Sequence, residues 1–108
     1  MTTPAYLIGQ ISVKDFPQYM DVYGRPTLAL GPRFGAEFLV ASAEGETLEG
    51  EWSGNWTVLV RFPSMEAARA FYDCPEYAPL RESRMTSLTS AGNLVLVGGY
   101  DPPPGGLA

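Results

Sequence analysis

Apolar residues recur at every second position through residues 5–13 (AYLIGQISV), placing Leu7, Ile11 and Val13 on one face and Tyr6, Ile8 and Gln10 on the other. Both faces are partly apolar, the pattern of a strand covered on two sides. Asp15 then stands as an N-cap, with Gln18 at capping-box spacing and Pro17 in the first turn, where its missing N–H is harmless. Phe16, Tyr19, Met20 and Tyr23 follow at offsets i, i+3, i+4 and i+7, so this helix turns an aromatic stripe toward a sheet. Gly24-Arg25-Pro26 predicts a kink or restart, because Pro26 has no N–H and disfavours helical geometry at Arg25. A second helical piece is expected over residues 26–34, with Gly35 as its terminating glycine.

Residues 37–41 (EFLVA) read as a short strand, and residues 42–55, with Glu44, Glu46, Glu49, Glu51 and three glycines, as an exposed hairpin arm. Residues 56–62 (WTVLVRF) give the clearest strand, with Trp56, Val58, Val60 and Phe62 on one face. Pro63 stops it. Ser64 caps a helix with Glu66 in its first turn and a buried stripe of Ala67, Ala68, Phe71 and Tyr72. Asp73-Cys74-Pro75-Glu76 breaks that helix, and a short piece carrying Tyr77, Leu80 and Arg84 follows, in which Pro79 is expected to cost a hydrogen bond. Residues 93–100 (NLVLVGGY) read as the last strand.

The order strand, helix, strand, strand, helix, strand predicts an α+β fold, a ferredoxin-like βαββαβ sandwich with a four-stranded antiparallel sheet and helices on one face. One domain is expected over residues 1–100, with residues 101–108 (DPPPGGLA) as an extended or disordered tail. Helices on one face leave apolar residues on the other, so a second copy is expected to cover it in a homodimer.

Composition narrows the function. The chain has 108 residues, 45% hydrophobic and 18% charged, which suits one core. It has no His and one Cys, Cys74, which excludes a Ser-His-Asp triad, a Cys-His dyad and His- or Cys-rich metal sites. No metal and no cofactor are expected, and Gly98-Gly99 lacks the spacing and following helix of a dinucleotide fingerprint. Seven basic against twelve acidic residues give a net charge of −5, the wrong sign for nucleic acid. No apolar run approaches the roughly 20 residues of a membrane span, and the N-terminus lacks the features of a secretion signal, so a cytoplasmic protein is expected.

Tyr72, Glu76, Tyr77 and Arg84 lie close in sequence and carry two readings. In one, they form a polar cluster at a cavity mouth, where the planar fork of Arg84 holds a carboxylate or enolate oxygen and a Tyr hydroxyl adds a second donor. In the other, Glu76 pairs with Arg84 or sits at a helix start, and the tyrosines pack. Tyr23 and Trp56 are candidates for an aromatic pocket or for plain core. Cys74, read as standing at a helix N-terminus, is either a reactive thiol or an inert substitution. Arg61, pointing from a central strand toward the dimer face, needs a partner, with Glu37 of the neighbouring strand or that of the second copy as the candidates.

The segment FPSMEAARAFYDCPEYAPLRESR at residues 62–84 resembles the signature of the family catalogued as domain of unknown function 1330, within the dimeric α/β-barrel superfamily. AYLIGQISV, the Asp-initiated helix with Tyr19 and Tyr23, GAEFLV at residues 35–40, LEGEW at residues 48–52 and NLVLVGG support the resemblance, which spans residues 4–99. It implies a ferredoxin-like protomer pairing sheet to sheet, with cavities between sheet and helices. It also marks departures, with Ala41 where an Arg is usual, Arg61 where an acid is usual, and Cys74 where a Ser is usual. The expected function is binding of a small organic acid or aromatic metabolite in such a cavity, with Tyr23, Tyr72, Glu76, Tyr77 and Arg84 as ligand contacts. The alternatives are a cofactor-independent oxygenase, isomerase or dehydratase by superfamily analogy, and a purely structural dimer.

Overall fold

The structure is a computed structural model that describes residues 3–100. Strand β1, Ala5–Val13, alternates between buried and half-buried positions along its whole length, as a strand with one face under helices requires. The Asp15 carboxylate accepts the Gln18 amide at 3.1 Å and starts α1, Phe16–Tyr19. The chain does not break at Gly24-Arg25-Pro26. Instead, five residues with wider π-type turns, Met20–Gly24, lead into α2, Arg25–Leu30, and a 3-10 turn over Gly31–Phe34. The widened turn puts Pro26 in the first turn of α2, where it lacks no bond. Gly35 ends the run at φ 81°, a conformation that favours glycine.

Strands β2, Glu37–Ser42, and β3, Trp56–Phe62, pair antiparallel, and the arm between them is exposed. Asn55 anchors the arm's end. Its side chain accepts from the Val13 amide at 2.8 Å and donates to the Val13 carbonyl at 3.0 Å, while its own amide bonds the Ile11 carbonyl at 2.9 Å. The Ser64 hydroxyl accepts the Ala67 amide at 3.0 Å and caps α3, Met65–Asp73. Helix α4, Ala78–Ser83, runs on through π-type turns over Arg84–Leu88 into β4, Thr89–Gly98.

Three sequence expectations need correction here. Pro79 costs no hydrogen bond, because α4 begins at Ala78 and its first turn has no intrahelical acceptor for that residue. The last strand starts at Thr89 instead of Asn93, since pairing with Gln10, Ile11 and Ser12 recruits Asn93, Gly92 and Ala91 despite their weak strand preference. Cys74 caps the C-terminal end of α3, so the helix-dipole argument for an activated thiol does not apply, and its thiol is buried. The proline- and glycine-rich segment 101–108 lies outside the described residues.

The sheet order is β2-β3-β1-β4, all antiparallel, with the helices on one face, the ferredoxin-like arrangement. Ala5, Leu7, Ile11, Val60 and Phe62 pack under Tyr19, Ala68, Phe71, Tyr77 and Leu88 in one core. Phe62 and Tyr77 are fully enclosed. The open face carries an apolar row across all four strands, Val40, Leu59, Ile8 and Val95, in direct register. Polar rows flank it. Glu37, Arg61 and Tyr6 lie on one side, with Arg61 donating to Glu37 at 2.8 Å as its strand position requires, and Thr57, Gln10 and Asn93 lie on the other.

Candidate functional site

Two helical segments carry the site. The aromatic stripe of α1 continues through the π-type turns and drives Tyr19 and Tyr23 into the core, their rings 5.2 Å apart. On the other side, the turn after α3 closes with the Tyr77 amide on the Cys74 carbonyl at 3.2 Å and plants Tyr77 just before α4. The phenol oxygens of Tyr23 and Tyr77 are 2.5 Å apart. Immediately after α4, Arg84 folds inward to 5% exposure and lays its guanidinium 5.6 Å from the centre of the Tyr23 ring. Tyr72 packs on Tyr77 at 5.7 Å and is covered from outside by Arg81, 4.9 Å from its ring.

Four of the five residues expected as ligand contacts, Tyr23, Tyr72, Tyr77 and Arg84, are therefore brought together. Glu76 is not. It points to the surface and meets Arg33 at 3.4 Å, and a hydrogen bond from its own amide, opposed by slight desolvation and helped by Arg33, holds its carboxyl below the usual range. Arg84 thus has no carboxylate partner among the described residues, whereas Arg25, Arg33, Arg61 and Arg69 each have one at the surface. Among the described residues, the Arg84 Nε makes no hydrogen bond, and neither does the buried Thr27 Oγ1 within ordinary distance. The Tyr23 hydroxyl, which interacts weakly with Thr27, is drawn instead to Tyr77.

Burial raises the Tyr19 phenol to about 12, with the Arg84 charge pulling it back. Burial likewise raises Tyr77, and the adjoining Tyr23 adds to the effect. Tyr23 is raised chiefly by burial, against the pull of Arg84. For Arg84, burial opposes the charge, but the surrounding tyrosine oxygens outweigh it and keep the guanidinium cationic. The cluster is a fixed cation ringed by neutral phenols, able to donate hydrogen bonds and to attract an anion.

Two hollows adjoin it. An apolar chamber of about 80 Å³ lies between the sheet and the helices, walled by Tyr19, Tyr23, Phe38, Trp56, Phe71 and Leu94. Gly9, in the middle of β1, forms part of its wall, and Ala41, at one of the departures from the family pattern, leaves another part small. Trp56 is both things the sequence allowed, packing on Phe16 at 5.2 Å and lining the chamber. The second hollow, about 280 Å³, is a more polar vestibule bordered by Tyr72, Arg84, Thr89, Gly92 and Leu94. Leu94 borders both.

Sequence reasoning missed Thr27, Phe38, Gly9 and Leu94 as wall residues. Thr27 was findable, four residues beyond Tyr23 on the same helical face. The others come from three strands and meet only through the sheet register.

The fold is shared with solved proteins of low identity. A protein of unknown function from Rhodopseudomonas palustris matches with a TM-score of 0.72 at 15% identity, covering 94% of this chain and 86% of that one. SnoaB, a cofactor-independent oxygenase from Streptomyces nogalater, matches with a TM-score of 0.67 at 13% identity, covering 95% and 99%. A protein from Bacteroides fragilis described as dimeric, of unknown function and with a ferredoxin-like fold, matches with a TM-score of 0.58 at 12% identity, covering 88% and 95%. No curated protein matches. No helix of the described residues is long and apolar enough to cross a membrane. The resemblance read from residues 62–84 holds across nearly the whole chain: the model of the domain of unknown function DUF1330 matches residues 4–100, and the chain belongs to that family.

Proposed function

We propose that this chain is a cytoplasmic homodimer that binds a small organic acid or aromatic metabolite between its sheet and its helices. The observation that carries the reading is the aromatic-walled chamber beside a buried arginine that has no carboxylate partner among the described residues. An apolar space with a few convergent polar groups is the usual form of a small-molecule site. Homodimerisation is supported by the apolar row Val40-Leu59-Ile8-Val95 with its polar flanks, since a core of apolar contact ringed by polar groups is the anatomy of an interface.

Cofactor-free turnover, as in the similarly folded SnoaB, is the reading this cluster supports less. A general base works best with a pKa near the operating pH, and all three buried phenols are displaced upward, away from neutrality. The test uses benzoate and benzyl alcohol as probes in the millimolar range. Binding raises Tm and changes the Trp56 emission; Trp56→Phe removes the emission change and keeps the Tm rise, whereas Trp52→Phe removes neither. A wild-type protein whose Tm and fluorescence ignore both probes overturns the proposal.

A further inference from the structure

The two hollows share a wall, and this has a chemical consequence. Tyr23 lines the apolar chamber, Arg84 borders the vestibule, and the guanidinium lies 5.6 Å from the Tyr23 ring centre, so charge and apolar space are about one ring apart. Arg84 Nη1 faces Gly92, where a Cβ would lie only 3.5 Å from it. At this position any larger side chain would compete with a ligand for the guanidinium. Leu94, half-buried, stands where the hollows meet. A buried charge without a counter-ion is costly, and among the described residues the four paired arginines at the surface have carboxylates while the enclosed one has none.

We propose that the ligand is an amphiphilic monocarboxylate, an aryl-alkyl acid, that spans both hollows. Its carboxylate sits in the vestibule on the Arg84 guanidinium, and its ring passes Leu94 into the chamber, against Tyr19, Tyr23 and Trp56. The Thr27 hydroxyl in the chamber wall, engaged only weakly by Tyr23, favours acids whose ring carries a hydroxyl or carbonyl group. This inference rests on the pocket reading above and narrows it from organic acids or aromatic molecules to one molecule with both characters. A planar carboxylate matches the planar fork of arginine, and an apolar body alone gains nothing from the charge.

The experiment compares 3-phenylpropionate with its neutral isostere 3-phenylpropionamide, by calorimetry on the full-length protein. The acid is expected to bind at least about tenfold more tightly than the amide. Arg84→Met, which replaces the charge with a side chain of similar length, is expected to bring the ratio to about one without weakening the amide. Gly92→Val, which keeps the Arg84 charge but crowds its Nη1, is expected to lower acid affinity selectively, so the conclusion does not depend on one variant folding. Equal binding of acid and amide to the wild-type protein, or a preference that survives Arg84→Met, overturns this inference and leaves the pocket reading standing. Binding of neither probe overturns both.

Discussion

Tyr23 and Tyr77, 54 residues apart in sequence, meet through their hydroxyls at 2.5 Å in the core. The contact ties the first helical segment to the second, and each oxygen has a further polar neighbour, Thr27 beside Tyr23 and Arg84 beside Tyr77. Removing one hydroxyl takes from the other its 2.5 Å partner in the core. Tyr77→Phe is therefore expected to fold and to lower stability by about 1 kcal/mol, the net contribution of one buried hydrogen bond. Tyr23→Phe with Tyr77→Phe should cost less than the sum of the single changes, because the bond the two hydroxyls share is lost only once. Urea titrations of the three variants measure this directly, and strict additivity would show that the hydroxyls do not share a bond.

Alkaline stability follows from the same enclosure. Tyr19 has an ordinary pKa of 10.0 and is raised to about 12 in the folded chain, so above pH 10 the unfolded state loses its proton first. Stability is fully present below pH 10 and declines as pH rises toward 12, by about 1.4 kcal/mol per pH unit for this group. Tyr77 and Tyr23 are displaced in the same direction and steepen the decline. Denaturant midpoints measured at about pH 9 and about pH 11 should differ clearly in the wild-type protein, and less in Tyr19→Phe. An unchanged difference in that variant would mean that other groups govern the alkaline limit.

The open face makes a separate prediction. Val95 is 51% exposed at the edge of the row that runs through Ile8 and Leu59 to Val40. Val95→Lys alters little in an isolated protomer, where an exposed substitution costs within about 0.5 kcal/mol. Set against a second sheet, the same lysine buries a charge. Sedimentation at micromolar concentration is expected to show a dimer for the wild-type protein and a monomer for the variant, with a lower, concentration-independent Tm. A wild-type monomer would remove the homodimer from the proposal.

Local chemistry was legible in the sequence, and long-range register was not. Asp15 and Ser64 were identified as caps, and the structure has both, because a cap needs only its own next three residues. β4 was started four residues late, since Thr89-Ser90-Ala91-Gly92 is a poor strand by composition and becomes one only by lying beside β1. Glu76 adjoins Tyr77 in sequence, yet one faces Arg33 at the surface and the other the core. Their partners, Arg33 and Tyr23, lie 43 and 54 residues away in sequence, and no local pattern could show which residue would turn inward.

Gly9 offers the sharpest separation of stability from function. It sits mid-strand in β1, between β3 and β4, where glycine weakens a strand, and its φ is not positive, so nothing in the backbone demands glycine. A Cβ there would meet Leu94 Cδ1 at 3.4 Å, Ile11 Cδ1 at 3.6 Å and Val58 Cβ at 3.6 Å, all ordinary contacts. Gly9→Ala should therefore stabilise the fold by about 0.5–1 kcal/mol, by restricting the unfolded chain and filling space. The space it fills is the chamber wall. The same variant should bind 3-phenylpropionate more weakly than the wild-type protein while melting higher. If it gained stability and kept full affinity, the chamber would be a packing void and the ligand would have to sit elsewhere.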